Sequence, residues 1–227
     1  MAEAVKPSRR YHSPRRQEQA AITRTAVLDA AQRLFERDGY PATSVQAIAT
    51  EAGVASKTVY LAFTTKSGVL RAVWDRALKG DEDDAGVAQR EWYREVMQER
   101  DPERQLRLNA RNARVVKTRI APLLEVIRDG APVDDDIAAL SELIQTDFYE
   151  NQRAIVEQIH KRKGLRRGLG VATAADILWT LNHPDVWLLL VGRRGWTPAR
   201  WEQWFGDTAC AQLLEGSSQA QSRRPRR

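Results

Sequence analysis

Eight consecutive residues, Ala55-Ser-Lys-Thr-Val-Tyr-Leu-Ala62, carry side chains suited to the edges of duplex DNA. Lys57 can donate to guanine O6 or N7, and Ser56 can address either kind of base. Ala55, Ser56, Lys57 and Thr58 fall at the start of a short predicted helix, and Leu61 and Ala62 follow one turn on. Those are the positions from which a recognition helix meets base edges in a major groove. Leu61 and Ala62 offer only apolar contact, for example to a thymine methyl. A good share of any specificity is therefore expected to come from DNA shape.

Other chemistry finds little support. His12, His160 and His183 are too scattered to gather a metal ion. Cys210 is the single cysteine, so no internal disulfide framework exists. It reads as a small hydrophobe rather than a nucleophile. The chain lacks a Gly-x-Ser-x-Gly elbow, a phosphate loop and a dinucleotide fingerprint. No catalytic residue, metal ligand or cofactor is expected, and the chain does not read as an enzyme.

The DNA-facing residues need a scaffold, and residues 43–66 supply it. A first helix is expected over about Ser44–Glu51, with Thr43 and Gln46 spaced as a capping box. Val45, Ile48 and Ala49 share one face. Gly53 follows where a chain leaving a helix often needs positive φ. The second helix spans about Ala55–Ala62, with Val59 and Phe63 turned to the core. A small residue at 49, glycine at 53 and an apolar residue at 59 suit two helices crossing steeply, the helix-turn-helix arrangement. A preceding helix over about Ala21–Arg37 carries Val27, Ala30, Ala31, Leu34 and Phe35 as an apolar stripe. A following helix over Ser67–Leu78 presents Leu70, Val73, Trp74 and Ala77, and Lys66 stands at its start.

Gly39-Tyr40-x-x-Thr43-Ser44-Val45, Ala52-Gly53-Val54 and Tyr60-x-x-Phe63-x-x-Lys66-x-x-x-Leu70 together resemble the N-terminal domain of the TetR family of bacterial transcriptional regulators. The resemblance runs without a gap from about Arg24 to Leu78. It implies that Thr43, Tyr60 and Lys66 contact phosphates, which position a protein on DNA without reading sequence.

The 227 residues carry a net charge of +6. Residues 1–24 hold six basic and two acidic side chains, a net +4, and residues 217–227 hold four arginines. The middle is thus slightly acidic, and the basic character lies in two ends rich in Pro, Ser or Gln. The expected organisation is a basic flexible arm (1–20), a DNA-binding domain (21–66), a helical regulatory and dimerisation domain (67–216) and a basic flexible tail (217–227). The acidic run Gly80–Gly86 is the expected loop after the DNA-binding helices. No apolar run approaches the ~20 residues of a membrane span, and the N-terminus lacks a signal-peptide core. A cytoplasmic protein without membrane contact is expected.

Residues 87–216 read as helical, which makes the fold class all-α: a three-helix helix-turn-helix domain followed by a helical ligand-binding and dimerisation domain. Arg104, Arg107, Arg111 and Arg114 form a basic stripe, either a solvated face or one from which Arg111 or Arg114 turns inward to an acidic ligand. Residues 175–182 and 194–204 resemble, more loosely, the C-terminal domain of one TetR-family branch. That likeness implies a homodimer formed by late helices. Trp201, Trp204, Phe205, Ala209 and Leu213 make an apolar face on the final helix, which is either core or interface, and the dimer interface is the expected role. It also implies a small-molecule effector. Trp92, Tyr93, Arg111, Asn112, Trp179, Asn182 and His183 are the polar or aromatic residues able to line its pocket. His183, before Pro184, can equally cap a helix. The expected function is a dimeric repressor that binds an inverted repeat in double-stranded DNA and is released by a ligand. An architectural DNA-binding protein without an effector is the alternative.

Overall fold

The computed structural model describes residues 14–80 and 87–215. The first thirteen residues, the acidic run after Gly80 and the C-terminal tail lie outside the described residues, as does His12. Helix α1 spans Pro14–Ala42, α2 Val45–Glu51, α3 Ser56–Phe63 and α4 Lys66–Lys79. A 3₁₀ turn at Val87–Gln89 precedes α5 (Glu91–Gln98), α6 (Pro102–Gly130), α7 (Asp135–Lys161), α8 (Val171–Leu181) and α9 (Pro184–Trp187). A π-helical turn, Leu188–Arg193, then leads to α10 (Pro198–Leu213). The all-α expectation holds, and strand-like pairing among the described residues is confined to an isolated bridge between Leu165 and Leu214.

Helix α1 starts seven residues before the expected Ala21, so residues 14–20 are helix rather than flexible arm. Pro14 suits a first helical position because its missing N–H has no partner there anyway. The following Arg, Gln, Glu and Ala are good helix formers. The helix is interrupted at Gly39 (φ 80°), close to the expected stop.

The α2–α3 turn follows from its glycine. Gly53 has φ 68°, its N–H bonds the Thr50 carbonyl, and the Val54 N–H bonds the Ala49 carbonyl. This paired closure is the Schellman motif, which needs a left-handed residue where glycine stands. Ala49 and Val59 are fully buried at the crossing. The α2 cap differs from expectation: Ser44, not Thr43, accepts from the Ala47 N–H. Gln46 does not reach back but accepts from the Ser56 hydroxyl at 2.6 Å, which ties α2 to the start of α3.

The α3–α4 corner is tighter. Thr64 adopts φ 66°, ψ −50°, and the Thr65 N–H bonds the Phe63 carbonyl at 2.7 Å, a γ-turn with positive φ. That conformation is strained for a β-branched residue. Thr65 then caps α4 by accepting from the Gly68 N–H. A Cβ at Gly68 would stand 2.2 Å from the Phe63 carbonyl oxygen, so only glycine fits.

Two apolar cores hold the chain together. The first joins α1–α4 to α6 and α7, running from Val27, Phe35, Ile48 and Val59 through Trp74 to Ile120, Ile127 and Ile144. It crosses the expected domain boundary at Lys66/Ser67 without a break. The second gathers Val96, Leu106, Ile155, Leu178, Trp201, Phe205 and Leu213.

Gly68→Ala should destabilise the protein by about 1–3 kcal/mol, since the new methyl meets backbone. Thr64→Gly should stabilise it by about 1 kcal/mol by relieving positive-φ strain. Urea unfolding of the two variants measures both.

Candidate nucleic-acid interface and interior cavity

The exposed face of α3 is built by what the helix buries. Val59 and Phe63 anchor it inward, and the Arg24 guanidinium of α1 lies 4.5 Å over the Phe63 ring. Lys57, Tyr60 and Leu61 are thereby turned to solvent, Tyr60 at 53% and Leu61 at 79% exposure. Lys57 has no ion-pair partner among the described residues. Ala55 is the exposed N-cap without a side-chain bond, while Ser56 and Thr58 are half-buried. Six of the proposed DNA-contacting residues, Ala55, Ser56, Lys57, Thr58, Tyr60 and Leu61, thus lie on one short helix and its cap.

The other two are placed differently. Thr43 is 3% exposed. Its hydroxyl donates to the carbonyls of Gly39 (2.8 Å) and Leu34 (3.3 Å), near the interruption of α1. Its side chain is a structural tie rather than a free phosphate donor. Lys66 is half-buried, donates to the Tyr40 carbonyl at 2.9 Å and sits 4.0 Å above the Tyr40 ring. Burial lowers its pKa. One of its three N–H groups is therefore committed inward.

Tyr40, Lys66 and Ser67 belong to a polar junction beneath the reader. The buried Tyr40 hydroxyl donates to Asp134, which also caps α7 by accepting from the Asp136 N–H. Burial, reinforced by that carboxylate, pushes the Tyr40 pKa up. Ser67 donates to Asp136 at 2.8 Å. The end of α1 and the starts of α4 and α7 are thus pinned together. At its other end α4 stops at Gly80 (φ 91°), and Arg119 of α6 donates to the Leu78 carbonyl. A cation there complements the helix C-terminus.

Between α4, α5, α6 and α7 lies a cavity of about 310 Å³. Trp74 and Leu78 of α4 form one wall, Trp92 and Tyr93 of α5 another, with Asn112, Lys117, Phe148 and Asn182 among the rest. Of the pocket residues expected from the sequence, Trp92, Tyr93, Asn112 and Asn182 line it. Asn112 donates to the Trp92 carbonyl at 2.7 Å, and burial raises the Tyr93 pKa. Arg111, Trp179 and His183 do not line it. Arg111 is exposed, and Trp179 packs edge-on against Tyr149 and His183. His183 caps α9 through Nδ1, which accepts from the Asp185 N–H at 3.1 Å. Arg114 pairs with Glu202, and Arg107 with Glu103 and Asp207, so the arginine stripe braces α6 against α10 and itself.

The cation that does enter the cavity is Lys117. It is 1% exposed and donates to Asn182 Oδ1 at 2.6 Å. It continues the apolar register of Leu106, Ala110 and Ala113, and a lysine in a core position is a signal the sequence offered. Burial lowers its pKa to about 7.

The late aromatic face is also placed differently from expectation. Trp201, Phe205, Ala209 and Leu213 are completely buried against this chain's own core, and only Trp204 is half-exposed. They form the interior on which α6, α8 and α10 meet, not a free dimer surface. Cys210 is buried beside them, and burial pushes its thiol up to about 11. Its thiolate is thereby disfavoured. Among the described residues no three His, Cys, Asp or Glu side chains gather as for a metal ion, and no helix is long and apolar enough to cross a membrane.

Residues 27–73 match the family described as bacterial regulatory proteins, tetR family. The N-terminal helices are a TetR-family DNA-binding domain. The matched segment covers α2, α3 and most of the two helices that carry them. A curated relative, the HTH-type transcriptional repressor ComR of Escherichia coli (strain K12), is 45% identical over 53 residues. That alignment covers 23% of this chain and 25% of ComR, so the chain matches a quarter of the relative's length. Similarity of fold extends much further. A structure of a SmeT–triclosan complex superposes with a TM-score of 0.69 at 20% identity, covering 86% of this chain and 93% of that one. NalD, the secondary repressor of the MexAB-OprM multidrug efflux pump in Pseudomonas aeruginosa, gives 0.66 at 20% identity, covering 88% and 99%. The TetR-like fold therefore includes the C-terminal helices.

Three variants test these assignments. Lys57→Ala should change which DNA sequence is preferred, whereas Tyr60→Phe should weaken binding to all sequences alike; competition binding against randomised sites separates the two. Lys117 has an ordinary pKa of 10.5 when unfolded and about 7 when folded. Its burial penalty is full below pH 7 and fades as pH rises towards 10.5. Raising the pH from 7 to 9.5 should thus stabilise the wild type relative to Lys117→Met by on the order of 2 kcal/mol in urea unfolding.

Proposed function

We propose that this protein is a transcriptional repressor that binds an inverted-repeat operator as a homodimer and is released by a small-molecule effector. One observation carries the ligand-responsive part of the reading. Helix α4 contributes Val69, Leu70 and Val73 to the core beneath the reader, and Trp74 and Leu78 to the cavity wall. A molecule in the cavity meets the same rigid element that supports α3. In a dimer, the two reader helices must lie roughly 34–36 Å apart to enter successive major grooves. A ligand that binds better when α4 is displaced favours a different spacing, by its differential affinity for the two states.

The reader's exposed Lys57, Tyr60 and Leu61 support double-stranded DNA as the partner. Because α10 spends its aromatic face internally, we assign the dimer contact to half-exposed apolar residues around α8 and the π-helical turn. Ile177, Leu181, Leu188 and Leu189 are foremost among these, Leu189 being 51% exposed. ComR and NalD are both described as repressors, which agrees with repression as the output.

Selection of bound fragments from random DNA tests the proposal. An inverted repeat with half-sites about one helical turn apart is expected. Absence of any preferred sequence would instead support an architectural DNA-binding protein. Leu189→Glu should shift the protein towards monomer in sedimentation and weaken operator binding at least tenfold.

A further inference from the structure

The geometry points to a small apolar acid as the molecule that the cavity takes, its anionic group meeting the Lys117 ammonium. This rests on the effector reading above and adds the chemical class. The cavity walls are mostly rings and aliphatic groups, with Trp74, Trp92, Tyr93 and Phe148 the large aromatic contributors. Its volume of about 310 Å³ lies at the small end of the range for ligand pockets, ~300–1,000 Å³. Apolar area gives affinity here, and a few polar groups fix orientation.

Among those polar groups Lys117 is singular. An ammonium has three N–H donors and no acceptor. The Asn182 side-chain oxygen, Oδ1, takes one of them at 2.6 Å. The faces of Phe148 and Trp201, each 5.3 Å from Nζ, give only diffuse attraction. No carboxylate among the described residues lies within ion-pair distance of Nζ. Buried charges are ordinarily paired, so this cation lacks the partner that an anionic ligand would bring. The other deep polar liners are amides engaged with one another or with backbone: Asn109 donates to Gln152 at 3.0 Å, and Asn112 to Trp92.

The remaining titratable groups near Lys117 are few. Asp147 lines the cavity but is exposed. Tyr93 is kept in its neutral phenol form by burial. His183 has its pKa lowered by burial and further by the Lys117 charge, against an opposing pull from Asp185. Asp147 and the rings alone would suit a cationic ligand. The buried ammonium on the deep side opposes one and selects an anion.

A linkage follows. Since burial draws the empty-site Lys117 to about 7, an anion binds best to its protonated form and takes up a proton on binding at alkaline pH. Affinity for an acid should therefore fall as pH rises through 7, while affinity for a neutral molecule of the same shape should not.

The test uses three molecules sharing one ring system, 2-naphthoate, 2-naphthamide and 2-naphthylmethylammonium, titrated calorimetrically into the full chain. At pH 6.5 the naphthoate should bind at least tenfold tighter than the amide, and the ammonium weakest. Between pH 7 and 8.5 naphthoate affinity should fall roughly tenfold relative to the amide, with heats that depend on the buffer because protons are exchanged. Lys117→Met should erase the preference for the acid. If that variant fails to fold, the pH profile of the wild type against the amide still decides. Equal binding of all three, or preference for amide or ammonium, overturns the acid assignment but leaves an effector site in place. Failure of all three to bind at millimolar concentration overturns both the acid assignment and the effector reading.

Discussion

Helix α4 is the element on which both halves of the molecule depend, because it is held at both ends and open along one side. At its start, Lys66 and Ser67 bond to the Tyr40 carbonyl and Asp136. At its end, Arg119 donates to the Leu78 carbonyl. Between these ties Val69, Leu70 and Val73 are completely buried. Trp74 and Leu78 look instead onto the cavity. Such a helix cannot bend freely, since a packed interior is nearly incompressible. In the proposed mechanism, displacement at the cavity is passed on as movement of the whole rod.

The reader is equally constrained from below. Its one short helix has a hydrogen bond to α2 through Ser56 and Gln46, an arginine stacked on Phe63, and a γ-turn at Thr64 leading directly into α4. A turn of this kind leaves no slack between α3 and α4. Strain in backbone at such a corner persists only where the surrounding packing over-determines it, and Gly68, with no room for a methyl, is that packing.

The reader was legible in the sequence because its determinants are local. Ala49, Gly53 and Val59 act through near neighbours, and their spacing alone dictates a tight turn and a close crossing. Thr43 and Lys66 show where that legibility stops. Both are polar residues beside a DNA-binding helix, but their side chains are spent on carbonyls of α1, Thr43 on Gly39 and Leu34 and Lys66 on Tyr40, and apolar periodicity announces neither bond. The α10 aromatics show a second limit: an apolar face has the same pattern whether its own chain or a second copy covers it. Pocket residues were half legible for the same reason. Trp92, Tyr93, Asn112 and Asn182 converge, while His183 is spent on capping and Arg111 faces water. The arginine stripe is where the sequence offers a positive charge for an acidic ligand, but the cation that lines the cavity is Lys117, one turn further along the same helix.

The cost of that lysine bears on how the two ends of the molecule communicate. Replacing a buried ammonium by an apolar residue of similar length often stabilises a fold, so Lys117 is a liability in a purely structural account. It sits on α6, whose Arg119, two residues later, holds the end of α4. It bonds Asn182, the residue that closes α8 and precedes the α9 cap. The cation therefore touches the cavity, the helix that fixes α4, and the α8–α9 corner beside the proposed dimer contact. Pairing that charge with an anion would offset the cost of its burial, which is the use we propose for it. In the proposed ligand-released dimer, occupancy of the cavity, the position of α4 and the spacing of two readers are parts of a single equilibrium.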